Sequence, residues 1–147
     1  MIDSFSGVYR FLSNFYPVPG GITIHRANCP TVEHAFQASK CFYPEDAFMI
    51  AKLHSPGDTK KLGRTIKLRD DWDKIKDGVM LSLLRAKFSE PSLFKRLFDT
   101  GDEELVEGNT WHDNYWGDCK CSTCKLPGKN KLGRLLMLVR EEIQAGI

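Results

Sequence analysis

The sequence predicts an α+β fold, a single compact, helix-rich domain over residues 1–147 with a few short strands. Three observations predict it. The length of 147 residues is near that of one domain, and no Pro/Gly/Ser-rich stretch is long enough to link two. Apolar residues recur at helical spacing over 70–89 and again over about 129–142. Residues 1–30, by contrast, hold short apolar runs broken by Pro17, Pro19, Gly20, Gly21 and Pro30, which is the pattern of strands and turns.

The elements follow in order. Gly20-Gly21, between Tyr16-Pro17-Val18 and Ile22-Thr23-Ile24, reads as a tight turn joining two short strands. Thr31 is placed to cap a helix that ends near Pro44, because the residue before a proline is pushed out of the α region. A second helix starts at Pro44, with Glu45 and Asp46 favourable to its dipole. Ser55-Pro56-Gly57-Asp58 breaks it, and Asp58 is the expected cap of a short helix to about Leu62. In 70–89 the stripe is Trp72, Ile75, Val79, Leu83 and Phe88, widened by Met80 and Leu84. Pro91-Ser92 starts a short helix through Phe98. Residues 101–127 read mostly as loop, with a short strand at Glu104–Glu107. The last helix turns Leu132, Leu135, Leu136, Val139 and Ile143 to one side.

Composition excludes several classes. The chain is 41% hydrophobic and 27% charged, with 21 basic and 19 acidic residues and a net charge of +2. That is neither a disordered polyelectrolyte nor a histone-like binder living on bulk charge. No apolar run approaches the ~20 residues that span a bilayer, and no charged start leads into an apolar signal core. The expected setting is cytoplasmic, with no membrane partner. The five cysteines fit a disulfide framework poorly, being odd in number. Oligomeric state is left open.

Three segments carry candidate chemistry. In TVEHAFQASK (31–40), Glu33, Gln37 and Lys40 fall at i, i+4 and i+7, one stripe at the edge of the apolar face. A carboxylate and an amine on one stripe can transfer protons, and a lysine in a dry pocket can attack an aldehyde carbon. A surface stripe with a weak ion pair explains the same spacing. His34 points to another side and reads as structural. In WHDNYWGDCKCSTC (111–124), two Trp, one Tyr, two Asp and Asn114 suit stacking on a flat heterocycle while bonding its edge; a plug pinning a long loop is the alternative. Within it, Cys119, Cys121 and Cys124 with His112 form a candidate structural zinc set, against three free thiols. In FLSNFYP (11–17), Ser13 and Asn14 sit between aromatics, either as a binding turn or as turn residues in a core.

Charge is segregated late in the chain. Leu97–Cys119 holds seven acids and no base, and Cys119–Arg140 six bases and no acid. Two solvated faces explain this. So does a phosphate site, since Lys129 and Lys131 at a helix N-terminus oppose the dipole unless an anion sits there. No Walker A, Rossmann, GxSxG or HExxH motif is present.

The motifs FLSNFYP (11–17), TVEHAFQASK (31–40), SPGD with LGR (55–58, 62–64), RDDWDKIKDGVM (69–80), LRAKF (84–88), LVE (105–107), YWGD (115–118) and GKNKLGRLLMLVR (128–140) come in an order that resembles the NADAR domain family. The Cys-rich insert after Asp118 is less general there, so a metal role rests on this chain alone. The resemblance implies a helix-rich α+β hydrolase of N-glycosidic bonds. It implies two substrate classes: ADP-ribose on guanine bases of nucleic acid, and phosphoribosylamino-pyrimidine intermediates of riboflavin synthesis. It further implies Lys40 as a Schiff-base lysine, with Lys87 its rival, Glu33 as general acid/base, and Asp118 on a ribose hydroxyl or assisting proton transfer. Phe15 and Trp116 would stack, and Asn14 would bond sugar or base beside Gln37. Arg64, Lys129 and Lys131 would hold phosphate, with Asn130 nearby.

The expected activity is removal of ADP-ribose from guanine in nucleic acid. The alternatives are the riboflavin-intermediate N-glycosidase, a non-catalytic ADP-ribose reader that would not need the Glu33/Lys40 pair, and a zinc-stapled interaction module. No cofactor is required, beyond the structural zinc the thiols could hold.

Overall fold

A computed structural model describes all 147 residues. It has the helix-rich α+β composition expected, with six α-helices, one 3-10 helix and four short strands. Two compact units account for the chain: Asn14–Glu90, and Met1–Ser13 together with Pro91–Ile147.

In Asn14–Glu90, β1 (Pro17–Ile24) and β2 (Ala27–Thr31) form an antiparallel hairpin. Its turn is not at Gly20-Gly21. It lies at His25-Arg26, both left-handed with φ 48 and 68, as a two-residue hairpin turn requires. Gly20 and Gly21 stay inside β1 with φ 79 and 70 and make the irregularity where the register shifts between Pro17 and Ile22. Asn28 Nδ2 donates to the Gly20 carbonyl at 3.0 Å, and a Cβ on Gly21 would lie 2.4 Å from Asn28 Oδ1. The glycines are used for close approach, and the pairing of Ile22 with Cys29 keeps both side chains buried.

Helix α1 (Val32–Ser39) follows at once, capped as expected by Thr31, whose Oγ1 accepts from His34 N at 3.1 Å. All eight of its residues are buried. Helix α2 (Pro44–Ala51) carries proline in its first turn. Helix α3 (Pro56–Gly63) is capped by Ser55, not Asp58: Ser55 Oγ accepts from the Asp58 N–H at 3.0 Å. A cap must precede the first turn, and Pro56 at the first position fixes Ser55 there. Helix α4 (Trp72–Lys87) buries Trp72, Met80, Leu83, Leu84 and Lys87. Phe36 and Trp72 join α1 to α4 with ring centroids 5.0 Å apart.

In the other unit, a 3-10 helix (Gly7–Leu12) buries Phe11 and Leu12. Arg96, on α5 (Pro91–Phe98), stacks its guanidinium 4.3 Å from the Phe11 ring centroid. The expected strand at Glu104–Glu107 is a single bridge, Ile2 with Leu105. Strands β3 (Gly108–Asn109) and β4 (Asp118–Cys119) pair in parallel just beyond it. Helix α6 (Lys131–Gln144) buries Leu132, Gly133, Leu136, Val139 and Arg140. A Cβ on Gly133 would meet the Leu105 carbonyl at 2.1 Å, so this glycine is what lets the helix lie against that backbone. No disulfide joins the cysteines, and no helix is long and apolar enough to cross a membrane.

Candidate active site

The α1 stripe is a buried polar row, not the surface stripe that spacing alone allowed. Glu33 and Gln37 are 7% and 5% exposed. Gln37 Nε2 donates to Glu33 Oε1 at 2.8 Å, one turn away. Lys40 is half-buried at the end of the helix. Burial lowers its pKa below the ordinary lysine value, Glu33 and Cys41 push it back up, and Arg64 and Lys60 lower it further. The row exists because α3 comes unusually close. A Cβ on Gly63 would lie 2.0 Å from Gln37 Oε1 and 3.0 Å from Lys40 Cε. That gives the LGR motif a physical reason: glycine leaves room for the row, and Arg64 caps α3 with its side chain in solvent.

Asn14 adds to the row. Its carbonyl accepts from the Glu33 N–H at 3.0 Å, and its Nδ2 approaches Met80 Sδ at 3.7 Å. Asn14 Oδ1 and Gln37 Oε1 are buried acceptors with no hydrogen-bond partner. Phe15, next in sequence, is 39% exposed. His34 is structural as expected: Nδ1 meets Thr31 Oγ1 and Nε2 meets the Leu53 carbonyl, each at 2.8 Å. Burial lowers its pKa.

Lys87 is fully enclosed, with no exposed surface. Its ammonium lies 5.1 Å from the Phe88 ring centroid and 6.0 Å from that of Tyr16. Burial lowers its pKa to about 7. A cleft of about 560 Å³ opens between β1 and α4, lined by Thr23, His25, Ser39, Arg69 and Ser82 among others. None of the expected catalytic side chains lines it.

In the other unit, Tyr115 and Trp116 pack edge to face at 4.9 Å. The ammonium groups of Lys129 and Lys131 stand 5.3 and 5.6 Å from the Tyr115 ring centroid. The helix N-terminus that was to bind phosphate is closed, however. Lys131 N–H and Leu132 N–H donate to the carbonyls of Tyr115 and Trp116 at 3.1 and 2.9 Å, so these amides already have partners and cannot cradle an anion. Helix α6 also starts at Lys131, leaving Lys129 outside it.

Asn130 corrects a second expectation. It is left-handed with φ 50, its Oδ1 accepts from Glu107 N–H at 3.0 Å, and its Nδ2 donates to Leu105 O at 2.9 Å. Its amide is spent on the backbone, so it serves the fold rather than a phosphate. Asp118 accepts from the Gly128 N–H at 2.8 Å and from Lys120 Nζ at 3.1 Å. The Gly128 bond first, then Lys120, holds its carboxyl below the usual range, so it is an anion at neutral pH and not a proton donor. His112, Cys119, Cys121 and Cys124 bring their ligand atoms within 4.8 Å of one another.

Sequence reasoning gave no site role to Gly63, Lys60 or Met80, and read Tyr115 only as part of the aromatic segment. Close packing at Gly63 depends on α3 meeting α1, which residue type does not reveal.

Comparison with known proteins places the chain among known sequences and folds. The family model described as "NADAR domain" matches residues 4–144. The chain is 41% identical over 142 residues to the N-glycosidase Npun_R5314 of Nostoc punctiforme, covering 92% of this chain and 86% of that protein. It is 37% identical over 143 residues to the N-glycosidase YbiA of Escherichia coli K12, covering 95% and 85%. The solution NMR structure of E. coli YbiA superposes with a TM-score of 0.80 at 34% identity, over 99% of this chain and 88% of that one. The riboflavin biosynthesis protein VVA0006 of Vibrio vulnificus is 36% identical over 139 residues, 92% of this chain but only 36% of that longer protein. With the family's pattern matched almost end to end and its fold shared, the chain belongs to the NADAR domain family.

Proposed function

We propose that this chain is an N-glycosidase that cleaves the bond between ribose C1 and the nitrogen of a planar base, with ADP-ribose on guanine in nucleic acid as the leading substrate. The observation that carries the reading is the buried row of Glu33, Gln37 and Lys40 with two partnerless acceptors, Gln37 Oε1 and Asn14 Oδ1. A buried unsatisfied polar atom costs about 1–3 kcal/mol. Ribose hydroxyls are donors of the kind that would relieve that cost. A reader needs no buried carboxyl and amine, so the row favours an enzyme.

The chemistry follows from the groups. Glu33 in its acid form protonates the departing base nitrogen as the C1–N bond breaks, and the neutral Lys40 amine bonds to C1 in its place. The new ammonium gives a proton to the Glu33 carboxylate, the ring bond C1–O4′ breaks with O4′ taking that proton, and the sugar is held on Lys40 as a protonated imine. Water adds to the imine carbon and gives a proton to Glu33, the bond to lysine breaks as its nitrogen is protonated, and the sugar leaves as the aldehyde with the Lys40 amine and the Glu33 acid restored. Lys40 suits this better than Lys87 because it is half-buried and reachable, whereas Lys87 has no exposed surface. Within the same unit as the row, Phe15 supplies a stacking face and Arg64 supplies charge for phosphate.

The likeness to the Vibrio riboflavin biosynthesis protein favours a second reading, a phosphoribosylamino-pyrimidine as substrate. One assay separates the two: the protein is incubated with an ADP-ribosyl-guanine oligonucleotide and, in parallel, with the phosphoribosylamino-pyrimidine. Release of ADP-ribose supports the leading reading, and release of ribose phosphate alone moves the assignment to the second. ADP-ribose binding without turnover of either would contradict the enzyme.

A further inference from the structure

We propose that His112, Cys119, Cys121 and Cys124 hold one zinc ion in a closed, four-ligand structural site that fixes the loop carrying Tyr115, Trp116 and Asp118. The geometry is that of a tetrahedron around a shared centre. His112 Nδ1 lies 3.3 Å from Cys124 Sγ, 3.4 Å from Cys121 Sγ and 3.8 Å from Cys119 Sγ. Zinc bonds of ~2.3 Å to sulfur and ~2.0 Å to nitrogen place those atoms ~3.5 Å apart in a tetrahedron. All four ligand atoms fall within 4.8 Å of one another.

Each sulfur also has its own donor. The Cys121 N–H points at Cys119 Sγ (3.5 Å), the Cys124 N–H at Cys121 Sγ (3.3 Å), and Asn114 Nδ2 at Cys124 Sγ (3.3 Å). Donors on all three sulfurs are the surroundings that orient thiolate ligands. A pair of thiols forming a disulfide would leave the imidazole and third sulfur without a purpose. His112 reaches the cluster from a left-handed backbone with φ 68, an arrangement that costs a non-glycine residue about 1 kcal/mol and needs something to hold it. Soft sulfur with one imidazole in a tetrahedron selects zinc or iron among common metals. Four protein ligands complete a tetrahedral set, which is the pattern of a structural zinc rather than a catalytic one.

The staple reaches the aromatic platform through Asn114. Its Oδ1 accepts from the Cys119 N–H at 2.9 Å, its Nδ2 donates to Cys124 Sγ, and its carbonyl accepts from the Lys129 N–H at 2.8 Å. Ligands before and after Trp116 thus tie both ends of its loop. This inference is independent of the substrate assignment.

The test is elemental analysis of reduced, untagged full-length protein, with zinc release followed by a chromogenic chelator during thiol titration with an organomercurial. The expected result is one zinc per chain, released as three thiols are modified. Cys121→Ser/Cys124→Ser should lower the zinc content at least tenfold, and Cys29→Ser should leave it at one. Cobalt exchanged into the wild-type protein should show the intense visible bands of a tetrahedral thiolate site, a readout that does not depend on any variant folding. Protein without zinc that also fails to bind added zinc or cobalt overturns the proposal. So does full zinc retention in the double serine variant, or iron in place of zinc.

Discussion

The Gln37 side-chain amide donates to the Glu33 carboxyl at 2.8 Å, one turn along α1, and both residues are more than nine-tenths buried. The bond holds the Glu33 carboxyl in place and leaves Gln37 Oε1 as an acceptor with no hydrogen-bond partner. Glu33→Gln keeps the shape and removes the proton, so kcat should fall by ~10²–10⁴, the usual worth of a general acid or base. Gln37→Ala should fall less, and its pH–rate profile should shift because Glu33 loses its donor. An unchanged profile in Gln37→Ala would reduce Gln37 to packing. Pre-steady-state rates across pH check both.

Gly63 tests why α3 sits where it does. In Gly63→Ala the new methyl would meet Gln37 Oε1 at 2.0 Å, so the Gln37 amide that bonds Glu33 must shift. We expect a loss of about 1–3 kcal/mol, as for an overpacked core, together with reduced kcat. Gly63→Ala/Gln37→Ala should recover much of the stability and none of the activity. Chemical denaturation and turnover of the three variants decide it. A neutral Gly63→Ala would mean the row tolerates displacement.

Burial of Lys87 makes folding pH-dependent. Its pKa is lowered from 10.5 to about 7, so between those values the unfolded chain holds a proton that the folded one does not. Stability conferred by this group is therefore present above pH 10.5 and lost as pH falls towards 7. Lys87→Met removes the group, so it should melt several degrees above wild type near pH 6, given ~4 °C per kcal/mol. The difference should shrink steadily towards pH 10. Parallel pH slopes for the two proteins would remove the buried charge from the account.

Much of this was legible in the sequence, for reasons tied to particular residues. Thr31, Pro44 and Pro91 marked helix starts because caps and first-turn prolines act locally, whereas Pro56 was read as part of a break and Asp58 as the cap that Ser55 provides. The Glu33–Gln37–Lys40 stripe followed from helical period alone. Its burial did not, because depth depends on Gly63 and α3 arriving from elsewhere in the chain. Gly20-Gly21 misled: glycine permits a turn but permits a strand irregularity equally, and pairing across β2 decided between them. The α6 N-terminus misled because the Tyr115 and Trp116 carbonyls, distant in sequence, take its amides. Asn130 looked like part of a phosphate loop, and its left-handed backbone and two backbone bonds are invisible to residue type.

The central claim is that the Lys40 amine attacks the sugar, and reductive trapping tests it most directly. The protein would be incubated with the substrate it turns over in the presence of cyanoborohydride, digested, and mapped by mass spectrometry. The account predicts a ribosyl adduct on Lys40, absent in Lys40→Arg, which should also lose turnover. An adduct on Lys87 with Lys40→Ala fully active, or turnover with no lysine adduct at all, would contradict it.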